Sequence, residues 1–215
     1  MILFNENQRK CIEHPPAPLM IIAGAGTGKT TTLIARIAYF INERNIDSES
    51  ILALTYTVKA AEHLKENIAE LVGDKSKNIN ASNFHSFALD QVISYYDTLG
   101  YSEPPTLIEA NESKYIVKEI ISDNIDILYS SVYKKDIHIA FKNVPKMFDR
   151  FRDELILKDD LVKKRDSILG DTDNSEIDLQ MVDCINLFIK YQEFKSRKSW
   201  IDFGDMIIDL WTLLN

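Results

Sequence analysis

The stretch Leu19–Thr32, LMIIAGAGTGKTTT, most constrains what this chain can fold into. Leu19 to Ala23 is a short apolar run, the length of a buried parallel strand. Gly24, Ala25, Gly26, Thr27, Gly28, Lys29 and Thr30 follow. After Thr30 the apolar period changes, and Leu33, Ile34, Ile37, Ala38 and Ile41 recur at helical spacing. Strand, glycine-rich turn and helix form the context in which a G-K-T sequence cradles phosphate. Glycines let the backbone turn tightly, so that several N–H groups converge on one anion. The helix that follows adds unpaired N–H groups and its positive dipole end. Lys29 supplies a point charge for β and γ phosphates, and Thr30 a hydroxyl for Mg²⁺. The strict pattern begins with Gly where this chain has Ala23; glycines at 24, 26 and 28 supply the flexibility instead. The expected phosphate-binding set is Ala25, Gly26, Thr27, Gly28, Lys29, Thr30 and Thr31. The competing reading is a plain strand-to-helix turn with an exposed lysine.

The rest of the composition sets bounds. A chain of 215 residues is one ordinary domain, or one domain with a large insertion. With 45% hydrophobic residues it can bury a core. The net charge of −8 argues against a wholly basic surface, although a local groove can still hold a single strand of nucleic acid. Cys11 and Cys184 lack metal-ligand spacing and fit a reduced, cytoplasmic setting. The start MILFNENQRK has no secretory h-region, and no apolar run approaches a membrane span.

Along the chain, Phe4 to His14 reads as a short helix started by Asn5, with Gln8 on it. The Gln8 amide carries an acceptor and two donors, which suit the Hoogsteen edge of adenine; a solvated helix position is the bland alternative. Pro15, Pro16 and Pro18 stop that helix. A second buried strand is expected at Ile51–Thr55, followed by a helix from Val58 to Leu71. Thr55, Tyr56 and Thr57 then lie at a strand's carboxyl end, where open α/β sheets bind ligands. An aromatic between two hydroxyls can stack on a base and grip a phosphate; alternatively, Thr57 only caps the helix. A third, shorter strand is expected around Asn78–Ser82. Phe84 and His85 follow it, and a histidine beside aromatics is more often packed than catalytic.

From about Tyr95 the strand-like runs stop, and the chain reads as helices at Glu112–Asp123, Val132–Phe151, Leu155–Ile168 and Ile177–Arg197. Their lysines alternate with acids, the pattern of a solvated helical surface. Residues 169–175 read as a polar linker. Asp202 or Asp205 can cap a last helix at Met206–Leu214.

These blocks, in this order, resemble the amino-terminal part of the superfamily I DNA helicases of the UvrD/Rep/PcrA family. Phe4–Arg9 is similar to the family's Q motif, whose glutamine contacts adenine. Ala23–Thr30 resembles motif I, Thr55–Ala61 motif Ia, Asn83–Ser86 motif Ib, and Asp202–Met206 the D-F-x-D-L segment before the Walker B strand. Tyr56, Val58 and Asn83 differ from the family's usual Phe, Asn and Thr.

The resemblance implies an α/β fold: an incomplete RecA-like P-loop NTPase sheet with an inserted all-helical domain. The implied division is 1–93 for the front of the ATP-binding motor, 94–197 for the helical insertion, and 198–215 for the return to the motor. It implies a fragment of an ATP-dependent DNA helicase moving 3′ to 5′, with ATP and Mg²⁺ as cofactors. Single-stranded DNA and its junctions with duplex are the implied partners. Lys29 and Thr30 take the catalytic roles, Gln8 and residues 25–31 bind the nucleotide, and Thr55, Tyr56, Thr57, Phe84 and His85 line the DNA track. Motif II and the arginine fingers fall outside this sequence, so the fragment itself is expected to be inactive. A RecB-type helicase–nuclease subunit, a P-loop kinase of another class and a non-enzymatic module are the alternatives.

Overall fold

Asn5 starts the first helix, α1 (Glu6–Glu13), through a capping box. Its side chain accepts from the Gln8 N–H, and the Gln8 side chain accepts from the Asn5 N–H. The computed structural model describes residues 3–215. After the proline turn the chain runs through the glycine-rich segment into α2 (Lys29–Asn42). Then come β1 (Leu52–Thr55), α3 (Val58–Val72), β2 (Asn80–Asn83) and α4 (Phe84–Ser94). β1 and β2 pair in parallel, Leu52 opposite Asn80 through Thr55 opposite Asn83. A crossover helix is what such a parallel connection requires, and α3 supplies it. One face of this ribbon is covered: Ala53 packs with Ile34, Ile37 and Ile41 of α2 and Leu64 and Ile68 of α3.

Leu19–Ala23 departs from the expected strand. It belongs to neither sheet among the described residues, and Met20 and Ile22 are 82% and 89% exposed. An apolar strand is stable when both its faces and both its edges are covered. The ribbon's second face, carrying Leu52 and Leu54, is also exposed, so Leu19–Ala23 lacks the layer that its composition requires.

The chain divides into two compact units, and the second spans Ala88–Asn215. It contains β3 (Thr106–Leu107), α5 (Ala110–Asp123), α6 (Ser131–Lys135), α7 (Ile137–Asp153), α8 (Lys158–Gly170), α9 (Glu176–Ser196), β4 (Trp200–Ile201) and α10 (Phe203–Leu214). The helical pattern is realised, with two differences. The helix expected at Val132–Phe151 breaks at Asp136, whose extended backbone and side chain cap α7. A two-residue strand, β3, lies where only helix was expected and pairs in parallel with β4. Residues 198–215 pack within this second unit through β4 and α10. The core is aromatic: Phe148 stacks on Tyr191 with centroids 5.7 Å apart and meets Phe188 edge-on at 5.0 Å.

Candidate nucleotide site and nucleic-acid interface

The glycine-rich turn is built by two left-handed residues. Gly26 has φ +74° and Gly28 φ +81°, a region that costs an L-residue about 1–2 kcal/mol. Gly28 is the N-cap of α2 and contributes no side chain, so the first amides of α2 have no capping partner. An uncapped helix start is an anion site in waiting. Thr27 braces the turn from within, its hydroxyl donating to the Gly24 carbonyl at 2.8 Å. Lys29 folds back over the loop, its Nζ donating to the Ala23 and Gly24 carbonyls, each at 2.7 Å. Ala25 and Thr30 are exposed and Thr31 half-buried at the same corner. The Thr30 hydroxyl makes no hydrogen bond among the described residues, which leaves its oxygen open to a cation. These residues fit a nucleotide phosphate chain with its Mg²⁺: glycine backbone, free helix amides, a lysine and an open hydroxyl converge on one turn.

Gln8 is brought to this turn from α1. Its Nε2 donates to the Thr27 carbonyl at 3.2 Å, while its Oε1 accepts from Asn5. Those bonds use one donor and one acceptor of the amide and leave one of each, the pair an adenine edge requires. A residue that sequence reasoning missed holds this arrangement. Arg36 of α2 donates from Nη1 to the Cys11 and His14 carbonyls at 2.6 and 2.8 Å, and from Nη2 to the Pro15 carbonyl at 3.0 Å. It ties the end of α1 to α2 and so sets Gln8 beside Thr27. An arginine on a helix interior is too common a feature to have marked it.

The second group of expected residues sits at the carboxyl end of the ribbon. Thr55 lies opposite Asn83, so Tyr56 and Phe84 leave adjacent strands at the same level. Tyr56 is 95% exposed, and Phe84 and His85 are exposed as well. The threonines face the chain. The Thr55 hydroxyl donates to the Thr57 carbonyl at 2.9 Å, and Thr57 caps α3 by accepting from the Ala60 N–H. The expected hydroxyl grip thus serves the turn, and the aromatic faces are what this edge presents. Asn83 is buried and its side chain accepts from the Ser86 N–H at the start of α4.

Comparison with known proteins places these features in a family. A family model described as the UvrD/REP helicase N-terminal domain matches residues 4–215. The chain belongs to the UvrD/REP helicase family. It is 32% identical over 205 residues to the ATP-dependent DNA helicase PcrA of Staphylococcus aureus strain Mu50, covering 95% of this chain and 25% of that protein. The corresponding protein of Staphylococcus epidermidis strain RP62A is 30% identical over 209 residues, with the same coverage. The chain therefore spans about a quarter of the length of the curated relatives it matches. A mixed helix and strand fold with short parallel sheets fits an α/β helicase domain of this family.

Asp202 and Asp205, at the start of α10 in this UvrD/REP-like sequence, are both engaged. They form the capping box of α10. Lys195, 1% exposed, donates to Asp202 at 3.0 Å and also bonds Asp205. Arg152 donates to Asp202 at 2.7 Å, and so does the Tyr191 hydroxyl. Burial pushes the Asp202 carboxyl up, but Lys195 and Arg152 outweigh it and hold the group down to about 2. Neither aspartate is open to a metal or a reacting water. No group of three or more metal-ligating side chains occurs among the described residues, and no helix there is long and apolar enough to cross a membrane.

Proposed function

We propose that this chain is the front part of the motor of an ATP-dependent DNA helicase that moves 3′ to 5′ on single-stranded DNA. The observation that carries the reading is the turn at 24–31: left-handed Gly26 and Gly28, an uncapped α2, and Lys29 and Thr30 at its mouth. The named activity of the PcrA relatives supports it. Lys29 binds the β and γ phosphates, Thr30 ligates Mg²⁺, the amides of residues 25–31 hold the phosphate oxygens, and Gln8 reads adenine. Mg²⁺, if bound at Thr30, would neutralise charge on the phosphates. Tyr56 and Phe84 stack bases at the strand ends, with Thr55, Thr57 and His85 framing them. Single strands and their junctions with duplex are the substrates, and the setting is cytoplasmic. Here 198–215 pack with the helical unit, whereas in the whole motor we expect 1–93 and 198–215 to build a RecA-like domain into which 94–197 is inserted.

The chain by itself neither hydrolyses ATP at a useful rate nor unwinds DNA. Phosphoryl transfer also needs a carboxylate on the metal, a group that orients water, and a cation on the developing charge. Asp202 and Asp205 are already bonded to Lys195 and Arg152 and do not supply the first two. An arginine finger alone contributes about 10³–10⁵ in rate. The test is an ATPase assay, with and without single-stranded DNA, on this chain and on a full-length protein carrying it. We expect DNA-stimulated turnover only in the latter, and its loss in Lys29→Ala. Turnover that survives Lys29→Ala sinks the assignment of the phosphate loop.

A further inference from the structure

Within the second unit, a cleft of about 340 Å³ opens between α7 and α9. Its floor is apolar, formed by Met147, Met181 and the buried Tyr133 and Cys184. Its charged lining is only cationic: Lys146 and Arg150, one turn apart on α7. The other clefts differ. Those around Arg152, Arg9 and Lys75 each carry both signs. A cleft of one sign stands out in a chain whose net charge is −8.

Two neighbouring carboxylates, Glu176 and Glu154, are each already bonded within the chain. Glu176, beside Ile177, is bound by the Ser130 and Ser131 hydroxyls and the Val132 N–H, which hold its carboxyl below the usual range. Glu154 pairs with Arg150 at 2.7 Å in an exposed i,i+4 bridge, of the kind worth a few tenths of a kcal/mol. Lys146 has no ion-pair partner among the described residues. Ile177 is 75% exposed at the mouth, an apolar side chain with nothing to cover it. Gln180 lines the same cleft, and its amide makes no hydrogen bond among the described residues. It offers donors and an acceptor to a peptide backbone.

We propose that this cleft docks an acidic amphipathic peptide segment of a partner protein, with an apolar side chain seated between Met147, Met181 and Ile177 and carboxylates on Lys146 and Arg150. Methionines repack around differing side chains, which suits a linear motif. Nucleic acid fits less well, because the cleft's aromatic, Tyr133, is buried and offers no stacking face.

The test uses the 215-residue chain. The probes are fluorescein-labelled synthetic helical peptides with leucines at i and i+4, in one version flanked by glutamates and in the other by lysines. We expect the glutamate peptide to bind at least about tenfold tighter, with affinity falling as salt rises. Ile177→Asp, at an exposed position the fold does not use, should weaken it by about tenfold or more. Lys146→Glu with Arg150→Glu should reverse the preference toward the lysine peptide. Equal binding of both peptides, or binding indifferent to Ile177→Asp, overturns the proposal. So does displacement of the peptide by an oligothymidine, which makes the cleft a nucleic-acid site. Self-association that the peptide displaces and Ile177→Asp abolishes would instead make this face an interface between copies of the chain.

Discussion

In the first unit apolar side chains stand in water, and in the second charged ones are buried. Met20, Ile22, Leu52 and Leu54 are exposed around a two-stranded ribbon. Lys195, Arg152, Asp202 and Asp205 are buried around the start of α10. In the helical unit α5, α7 and α9 cover one another around an aromatic core, and the buried cations meet buried carboxylates. The ribbon completes one face only. A sheet depends on neighbours distant in sequence, whereas a helix satisfies its own backbone.

Substitution in each unit tests this contrast. Removing one partner of a buried charge cluster leaves others uncompensated, so Lys195→Met should cost about 3–5 kcal/mol in urea denaturation of the second unit. A loss below about 1 kcal/mol would mean that water already solvates the cluster. Nearby, burial and the charges of Asp205 and Asp202 push Asp209 up to about 6, against Tyr101 donating to it at 2.8 Å. Its folded value lies above its unfolded one, so the protonated form contributes stability that is present below about pH 4 and is lost as pH rises through about 6. The loss approaches about 3 kcal/mol, and Asp209→Asn should flatten the stability–pH profile over that window. Asp202 acts in the opposite sense: its contribution is lost only as pH falls toward about 2.

In the first unit, Gly28→Ala should cost about 1–2 kcal/mol for its left-handed backbone, with the added Cβ 3.1 Å from the Gln8 amide. Thermal melts would check this, and an unchanged melting temperature would show that the turn relaxes. The smallest effect is expected at Ile22→Thr, within about 0.5 kcal/mol, because the side chain is already exposed. A large loss there would place Ile22 in a core after all.

Periodicity made the helices legible, and the tight glycine turn before α2 was legible from residue type alone. Lys29 and Gly28 have few roles to choose from in that order. The fate of Leu19–Ala23 was not legible, because an apolar run specifies a need for burial and not whether a covering layer is present. The charge cluster was half legible. Asp202 and Asp205 read as caps, but Lys195 looked like any lysine on a helix that alternates with acids. Its burial is set by α7 and α10 packing on α9, a long-range fact. The threonines flanking Tyr56 show the same limit at short range: Thr57 caps α3 and the Thr55 hydroxyl donates to the Thr57 carbonyl, bonds that residue type alone did not choose.

Arg36 has a consequence for how sequences of this kind can drift. Its guanidinium is planar and reaches carbonyls of Cys11, His14 and Pro15 from one side chain. A lysine, a single point with a rounder hydration shell, cannot span that fork. The usual conservative exchange is therefore closed at a position whose hydrogen-bond partners are all backbone carbonyls. Among homologues, invariance here would record a distance between two helices, and a reader searching for ligands would mistake a spacer for a contact.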